Sequence, residues 1–367
     1  MKATQQLHDL GQSVWLDNIT RELLTNGTLR HYINELSVTG LTSNPTIFDK
    51  AIKGGDFYDA AIDQKTAEGK SGEALFFELA LEDLTQAADL LRPIHDVTGG
   101  MDGWVSLEVS PLLANDTDGT IKAAAVLHDR AQRPNLFIKI PGTRAGIPAI
   151  EESIFAGVPV NVTLLFSCEH YMAAAKAYMR GIERRIAAGL DPKVYSVASI
   201  FVSRWDTAIK DKTPQVLHNR LGIAISKRVY KCYRELLASP RWQKLVEAGA
   251  RPQRLLWGST GSKDPDAPDT LYIEALVAPD TINTMPDKTL LAFAEHGKVQ
   301  TTMPSDGGDA EAVLAAFARV NVDDVVLAAK LQREGVQLFA ESWNDLMDCI
   351  ATKNGVRKQS QPSEVKS

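Results

Sequence analysis

The chain has little of what builds secreted, membrane or metal-bound proteins. It carries three cysteines in 367 residues, Cys168, Cys232 and Cys349, odd in number, far apart and without CxxC spacing. Such a set argues against a disulfide framework or a structural zinc site, and it reads as free thiols in a reducing compartment. No apolar run is long enough to span a bilayer. The opening residues, MKATQQLHDLGQSVW, lack the apolar core of a signal peptide. Together these features predict a soluble cytoplasmic protein with no membrane partner. Positive charge is not in excess: 40 Lys+Arg stand against 46 Asp+Glu, a formal net charge of −6. A general nucleic-acid binder presents a basic surface, so this balance argues against nucleic acid as a partner. An anionic small substrate stays open if its positive contacts are concentrated locally.

Familiar catalytic signatures are missing too. The seven histidines are scattered and form no HExxH. Cys168-Glu169-His170 is a lone local cluster with too few ligands for a metal. There is no GxSxG elbow, no Walker loop and no GxGxxG after a strand. The last absence weakens an open doubly wound sheet as the architecture. Internal repeats and Gly/Pro/Ser-rich linkers are also absent.

What is present is a rhythm. Short apolar, β-branched runs recur at Val14–Ile19, Val38–Thr42, Trp104–Val109, Leu136–Ile140, Pro159–Thr163, Val194–Ile200, Arg254–Ser259 and Ile273–Ala278. Continuous apolar runs suit strands buried on both faces of a parallel sheet. Helical spacing fills the gaps. Phe76, Leu79, Ala80, Leu84, Ala87 and Leu91 fit one apolar face; Leu217, Val229, Tyr230, Tyr233 and Leu237 fit another; Phe339, Trp343, Leu346 and Ile350 fit a C-terminal helix. Strands alternating with helices predict the α/β class, and eight candidates predict closure into a (β/α)8 TIM barrel. Such a barrel takes about 250 residues, so roughly 100 remain for extra helices. These go to the termini and to a helical insertion over about 46–98, after the second strand. We expect a single barrel domain over 1–352 and a polar, unstructured tail over 353–367.

Barrel enzymes place their chemistry at the C-terminal ends of the strands. The polar residues that interrupt or follow the apolar runs are therefore the candidates. Lys139, in Leu-Phe-Ile-Lys-Ile-Pro, is the most informative. Burial among apolar neighbours disfavours an ammonium ion, lowers its pKa and yields the amine that attacks carbonyls. A strand-end lysine that snorkels to solvent is the competing reading. Asp17 and Glu108 are carboxylates in otherwise apolar strands and can move protons for such an amine, or simply pair with a basic barrel residue. Asn44 precedes Pro45, as at a helix start. Asn161 and Thr163 share one face of a strand by alternation. Ser199 and Arg204 lie in Ser-Ile-Phe-Val-Ser-Arg, and Lys263 ends Ser-Thr-Gly-Ser-Lys in a turn-rich loop over 261–268. A Gly-containing loop after a late barrel strand is a common phosphate site.

Several of these segments, in order, closely resemble the transaldolase family. Gly40-Leu41-Thr42-Ser43-Asn44-Pro45-Thr46-Ile47-Phe48 is similar to its first signature. Phe137-Ile138-Lys139-Ile140-Pro141-Gly142-Thr143, continuing to Gly146-Ile147, is similar to the segment around its Schiff-base lysine. Its Trp-Leu-Asp, Leu-Glu-Val, Asn-Val-Thr-Leu-Leu-Phe-Ser and Ser-x-Phe-Val-x-Arg patterns are also present, and the likeness spans about residues 12–350. The resemblance implies a cofactor-free, metal-free class I aldol mechanism on an α/β barrel. It implies sugar phosphates as partners: sedoheptulose 7-phosphate and glyceraldehyde 3-phosphate exchange a dihydroxyacetone unit to give erythrose 4-phosphate and fructose 6-phosphate. By that match Lys139 forms the Schiff base, and Asp17 is the acid/base for carbon–carbon cleavage. Glu108 and Thr163 handle the water and protons of imine formation. Asn44, Asn161 and Ser199 bind the dihydroxyacetone unit, and Arg204 holds phosphate. Many relatives carry Ser-Phe-Arg after the seventh strand; here Lys263 stands as the second phosphate contact. A Schiff-base aldolase of a related sugar phosphate, or a non-catalytic sugar-phosphate-binding barrel, are the alternative readings.

Overall fold

A computed structural model describes residues 1–360. Eight strands, β1 (Gln12–Leu16), β2 (Val38–Thr42), β3 (Trp104–Glu108), β4 (Leu136–Pro141), β5 (Val160–Leu165), β6 (Ser196–Phe201), β7 (Gln253–Gly258) and β8 (Thr281–Met285), form one closed barrel. Each pairs in parallel with the next, and β8 pairs with β1. This is the (β/α)8 TIM barrel that the alternating pattern predicts.

Six helices bear on the site. They are α1 (Pro45–Lys53), α2 (Gly72–Val97), α3 (Cys168–Ala187), α4 (Ser203–Ile209), α5 (Leu221–Ala238) and α6 (Asp324–Ser360). Helix α1, a short helix over Asp59–Ala67 and α2 fill the long connection between β2 and β3. Pro45 opens α1 and Asn44 caps it, its side chain accepting from Ile47 N–H at 3.1 Å. The apolar stripe of α2, including Phe76, Leu79, Leu84 and Leu91, is buried. Phe76 meets Trp343 of α6 edge-on at 5.0 Å, which joins the insertion to the last helix.

The barrel interior has an apolar floor. Trp15, Trp104, Phe137, Val197, Leu256 and Ile282 pack there as one buried cluster, with Trp104 stacked on Phe137 at 3.9 Å. Gly40 lets the Trp15 ring lie against β2, since a Cβ at that position would stand 2.5 Å from the indole. The Trp15 indole N–H donates to Asp102 at 2.7 Å. Arg254 closes the same end through Met101 O (2.8 Å), Ser13 Oγ (2.8 Å) and Thr281 O (2.9 Å).

Three expectations need correction. The run Ile273–Ala278 is not the eighth strand; it falls on a short helix, Leu271–Ala275, and the turn after it. A short apolar run cannot be told from a buried helix by periodicity alone. The true strand, Thr-Ile-Asn-Thr-Met, alternates, with Ile282 in the floor cluster and Thr284 at the cavity. Secondly, Cys168 and Cys232 are not free thiols but form a disulfide, with Cα atoms 6.3 Å apart. They lie on α3 and α5, in the successive crossovers β5–β6 and β6–β7, so the adjacency of these strands brings together residues 64 apart in sequence. Cys349 is free and half-buried. Finally, the last helix runs to Ser360, into the stretch expected to lack structure. A polar composition denies a segment a packed face, not helical backbone propagated from a packed helix. Residues 361–367 of that expected tail lie outside the described residues.

Candidate active site

The carboxyl ends of the strands enclose a cavity of about 370 Å³. Asp17, Asn44, Lys139, Thr163, Ser199, Arg204 and Lys263 line it. Glu108 and Asn161 lie just beneath, buried. Register explains the convergence. Glu108 pairs with Lys139, and Lys139 with Asn161, so three adjacent strands present these side chains at one level inside the barrel.

Lys139 is 5% exposed. Its ammonium donates to Ser43 O at 2.8 Å and to Glu108 Oε2 at 3.1 Å. Burial pushes the Glu108 carboxyl above the usual carboxylate range, and the neighbouring Lys139 charge opposes that rise. Burial also raises Asp17, although Thr42 Oγ donates to its Oδ1 at 2.7 Å and Lys139 and Lys263 attract its charged form. Two carboxyls that hold protons more tightly than free ones therefore sit near one buried amine, one in contact with it and one across the cavity mouth.

The remaining polar groups divide by whether they have partners. Ser199 Oγ donates to Asn161 Oδ1 at 2.7 Å, and Asn161 Nδ2 donates to Ser106 Oγ at 3.1 Å. The Asn44 carbonyl is engaged in capping α1, which leaves its amide N–H groups to the cavity. Thr163 Oγ is buried with no hydrogen-bond partner among the described residues. Arg204 is the second residue of α4, is partly buried, and burial lowers its pKa without removing its charge. Neither Arg204 nor Lys263 has a hydrogen bond or ion pair among the described residues. Unpaired cations on a concave wall make an anion-binding surface.

The residue reading missed several lining groups. Thr42, which holds Asp17, lies two residues before Asn44 in the same motif and was within reach of strand alternation. Phe201 follows Ser199 by two and points the same way. Lys50 of α1 adds a third cation. Phe339 of α6 packs on Phe201 at 6.4 Å and walls the cavity. Nothing local in the sequence tells which face of a distant helix covers a barrel mouth.

Fold and site thus define a barrel enzyme with a buried amine, flanking carboxyls and a wall of cationic side chains at the carboxyl ends of its strands. A family model described as transaldolase/fructose-6-phosphate aldolase matches residues 14–350. A transaldolase of Parafrankia sp. (strain EAN1pec) is 44% identical over 364 residues, covering 96% of this chain and 98% of the relative. Transaldolases of Frankia alni and Thermobifida fusca are 45% and 44% identical, each over 95% of this chain and 97% of the relative. The chain belongs to the transaldolase/fructose-6-phosphate aldolase family and is an enzyme of the transaldolase type. No helix of the described residues is long and apolar enough to cross a membrane.

Proposed function

We propose that this enzyme moves a dihydroxyacetone unit from sedoheptulose 7-phosphate to glyceraldehyde 3-phosphate through a Schiff base on Lys139. The observation that carries this reading is the contact of the buried Lys139 amine with Glu108, at the base of a cavity whose wall cations lack partners. The Glu108 carboxylate, which burial makes a stronger base than an exposed one, accepts the ammonium proton. Both partners are then neutral, so the pair buries no charged group. The free amine adds to the ketose carbonyl, and the carbinolamine loses water, with Glu108 and Thr163 supplying and removing the protons. Asp17 takes the proton of the C4 hydroxyl as the C3–C4 bond breaks. The electron pair of that bond moves into the imine, the aldehyde leaves, and an enamine remains on Lys139.

Asn44 and Ser199 grip the retained dihydroxyacetone unit, and Asn161 acts through the Ser199 hydroxyl it accepts from. Arg204 and Lys263 hold the phosphate of donor and acceptor in turn. Phe201 and Phe339 give the enamine an apolar flank, which favours an arriving aldehyde over water. A dianionic sugar phosphate does not cross membranes unaided, which makes the cytoplasm the compartment proposed for the reaction.

Incubation with fructose 6-phosphate and borohydride should add a reduced sugar to the peptide containing Lys139, and Glu108→Gln should slow that trapping. An adduct on another lysine, or none with active enzyme, would overturn the assignment. Product assays with and without acceptor aldehyde separate transfer from simple aldol cleavage.

A further inference from the structure

Thr163 has a positioning problem. Its hydroxyl is buried at the cavity and makes no hydrogen bond among the described residues, so no polar partner fixes its direction. The backbone must do so, and the backbone beside it is strained. Leu164 has φ +59, a left-handed conformation that a branched residue rarely adopts, and the β5–β6 register shifts between Val162 and Leu165. Such strain persists only where the surroundings hold it.

Helix α6 provides that hold. The two amide N–H groups of Gln332 donate to Gly142 O and Leu164 O, both at 3.0 Å. Gly142 N–H in turn donates to Thr163 O at 2.8 Å. One side chain therefore stitches the end of β4, three residues after Lys139, to the strained end of β5, one residue after Thr163. Gly335 lies one helical turn on and seats Leu164 against the helix; a Cβ there would stand 2.8 Å from Leu164 Cδ2. Phe339, a further turn on, reaches the cavity wall. Spacings of three and four residues put all three on one helix face.

We propose that Gln332 is a positioning residue for imine formation: its amide fixes the ends of β4 and β5 so that the Thr163 hydroxyl is presented to the reacting carbon. This rests on the reading of Thr163 as a proton-handling group of that step. The claim is specific to the two N–H donors, since packing alone could be supplied by any side chain of similar size.

The test is the rate of borohydride trapping with fructose 6-phosphate, read alongside kcat and KM. Gln332→Leu should slow trapping and lower kcat on the order of 10- to 100-fold, as small misplacements of catalytic groups do, with KM little changed. Gln332→Lys restores donors to the two carbonyls and should recover most of the loss. Gln332→Glu, of the same shape but with acceptors facing those carbonyls, should lose at least as much as Gln332→Leu and serves if the leucine variant folds poorly. In a Thr163→Val background the Gln332→Leu effect should largely vanish, because the two residues act as one unit. Wild-type trapping by Gln332→Leu, a lysine variant no better than the leucine one, or an undiminished loss in the Thr163→Val background would each overturn the inference while leaving Lys139 as the covalent residue. An unaltered enzyme that forms no Lys139 adduct would remove the Schiff-base reading, and this inference with it.

Discussion

Arg254 and Arg204 stand at opposite ends of the same barrel, and their surroundings differ in kind. Arg254, in β7 at the floor, donates to two backbone carbonyls and a serine hydroxyl. Arg204, at the cavity, has no hydrogen bond or ion pair among the described residues, and burial works against its charge. The same contrast runs along β1. Trp15 is fully buried, and its N–H has a carboxylate partner. Asp17, two residues on, is a half-buried carboxyl whose desolvation favours the protonated form, against the opposing hydrogen bond from Thr42. The floor is built as a core: the Trp15 and Trp104 indoles and both Nη groups of Arg254 are paired, and Arg254 Nε is left without a partner among the described residues. The mouth keeps an unpaired hydroxyl, unpaired cations and carboxyls displaced from their ordinary pKa, a set of costs that stability alone does not select.

The sharpest way to break that comparison is to change both ends of one strand. Asp17→Asn should lower turnover by about 10²–10⁴-fold, the range for a positioned acid or base, while Lys139 remains trappable by borohydride. Its melting temperature should not fall, because burial already disfavours the ionised Asp17. Trp15→Ala should do the reverse. It removes a large floor side chain at a cost of about 3–5 kcal/mol of stability, and the folded fraction should keep kcat within about threefold, as expected of a core change away from the chemistry. Urea unfolding and turnover measured on both variants decide the matter. A Trp15 variant that is fully folded but inactive would show that floor and mouth are not separable.

The arginines give a smaller contrast. Arg204→Ala should cost roughly 2–5 kcal/mol in kcat/KM, as truncating one partner of a buried charge pair does. The exposed Lys263 should cost about 1–2 kcal/mol, a charge-assisted contact discounted for solvent. Both losses should appear with phosphorylated sugars and shrink with their unphosphorylated counterparts. Arg254→Met should instead lower stability by roughly 2–5 kcal/mol and leave that selectivity unchanged. Equal losses on both sugar types for Arg204→Ala would mean that it does not read phosphate.

These contrasts track what the amino-acid sequence reveals. Residues at the mouth betray themselves because they violate local expectation: Lys139 between Ile138 and Ile140, Glu108 after Leu107, Asp17 after Leu16. A polar interruption in an apolar strand is visible without a structure, and barrel topology then brings such interruptions to one face. Residues that act across the fold give no such signal. Gln332 looks like any helix-surface glutamine, and Phe339 like any core aromatic, until α6 is laid against β4 and β5. The Cys168–Cys232 bond gives no local signal either, since it is the pairing of β5 with β6 that makes the helices after them neighbours. The eighth strand, with Asn283 and two threonines, is less apolar than Ile273–Ala278 just before it, so apolarity alone selects the wrong run.

A final contrast separates two aspartates, one at the cavity and one in the core. Asp17 faces the cavity with one hydrogen bond; Asp206, on α4 two residues after Arg204, faces α5. Asp206 accepts from Tyr272 Oη at 2.9 Å, Leu221 N–H at 2.9 Å and Gly222 N–H at 3.1 Å. Burial nevertheless outweighs these bonds and the attraction of His218, and pushes its carboxyl up to about 6, against 3.8 for an ordinary aspartate. The folded chain therefore holds a proton between about pH 4 and pH 6 that the unfolded chain has already released. The stability linked to Asp206 is fully present below about pH 4 and is lost as pH rises through 6. A shift of about two units sets a ceiling of about 3 kcal/mol on that loss. Asp206→Asn cannot titrate, so its unfolding free energy should fall less steeply than that of the wild type across this window. The difference between the two proteins should then stay constant above pH 7. Urea denaturation at half-unit steps from pH 4 to 7.5 reads both curves, and the comparison between variants cancels the other titrating groups. Parallel curves across the window would mean that Asp206 titrates as an ordinary carboxyl. Its three hydrogen bonds, rather than burial, would then set its ionisation.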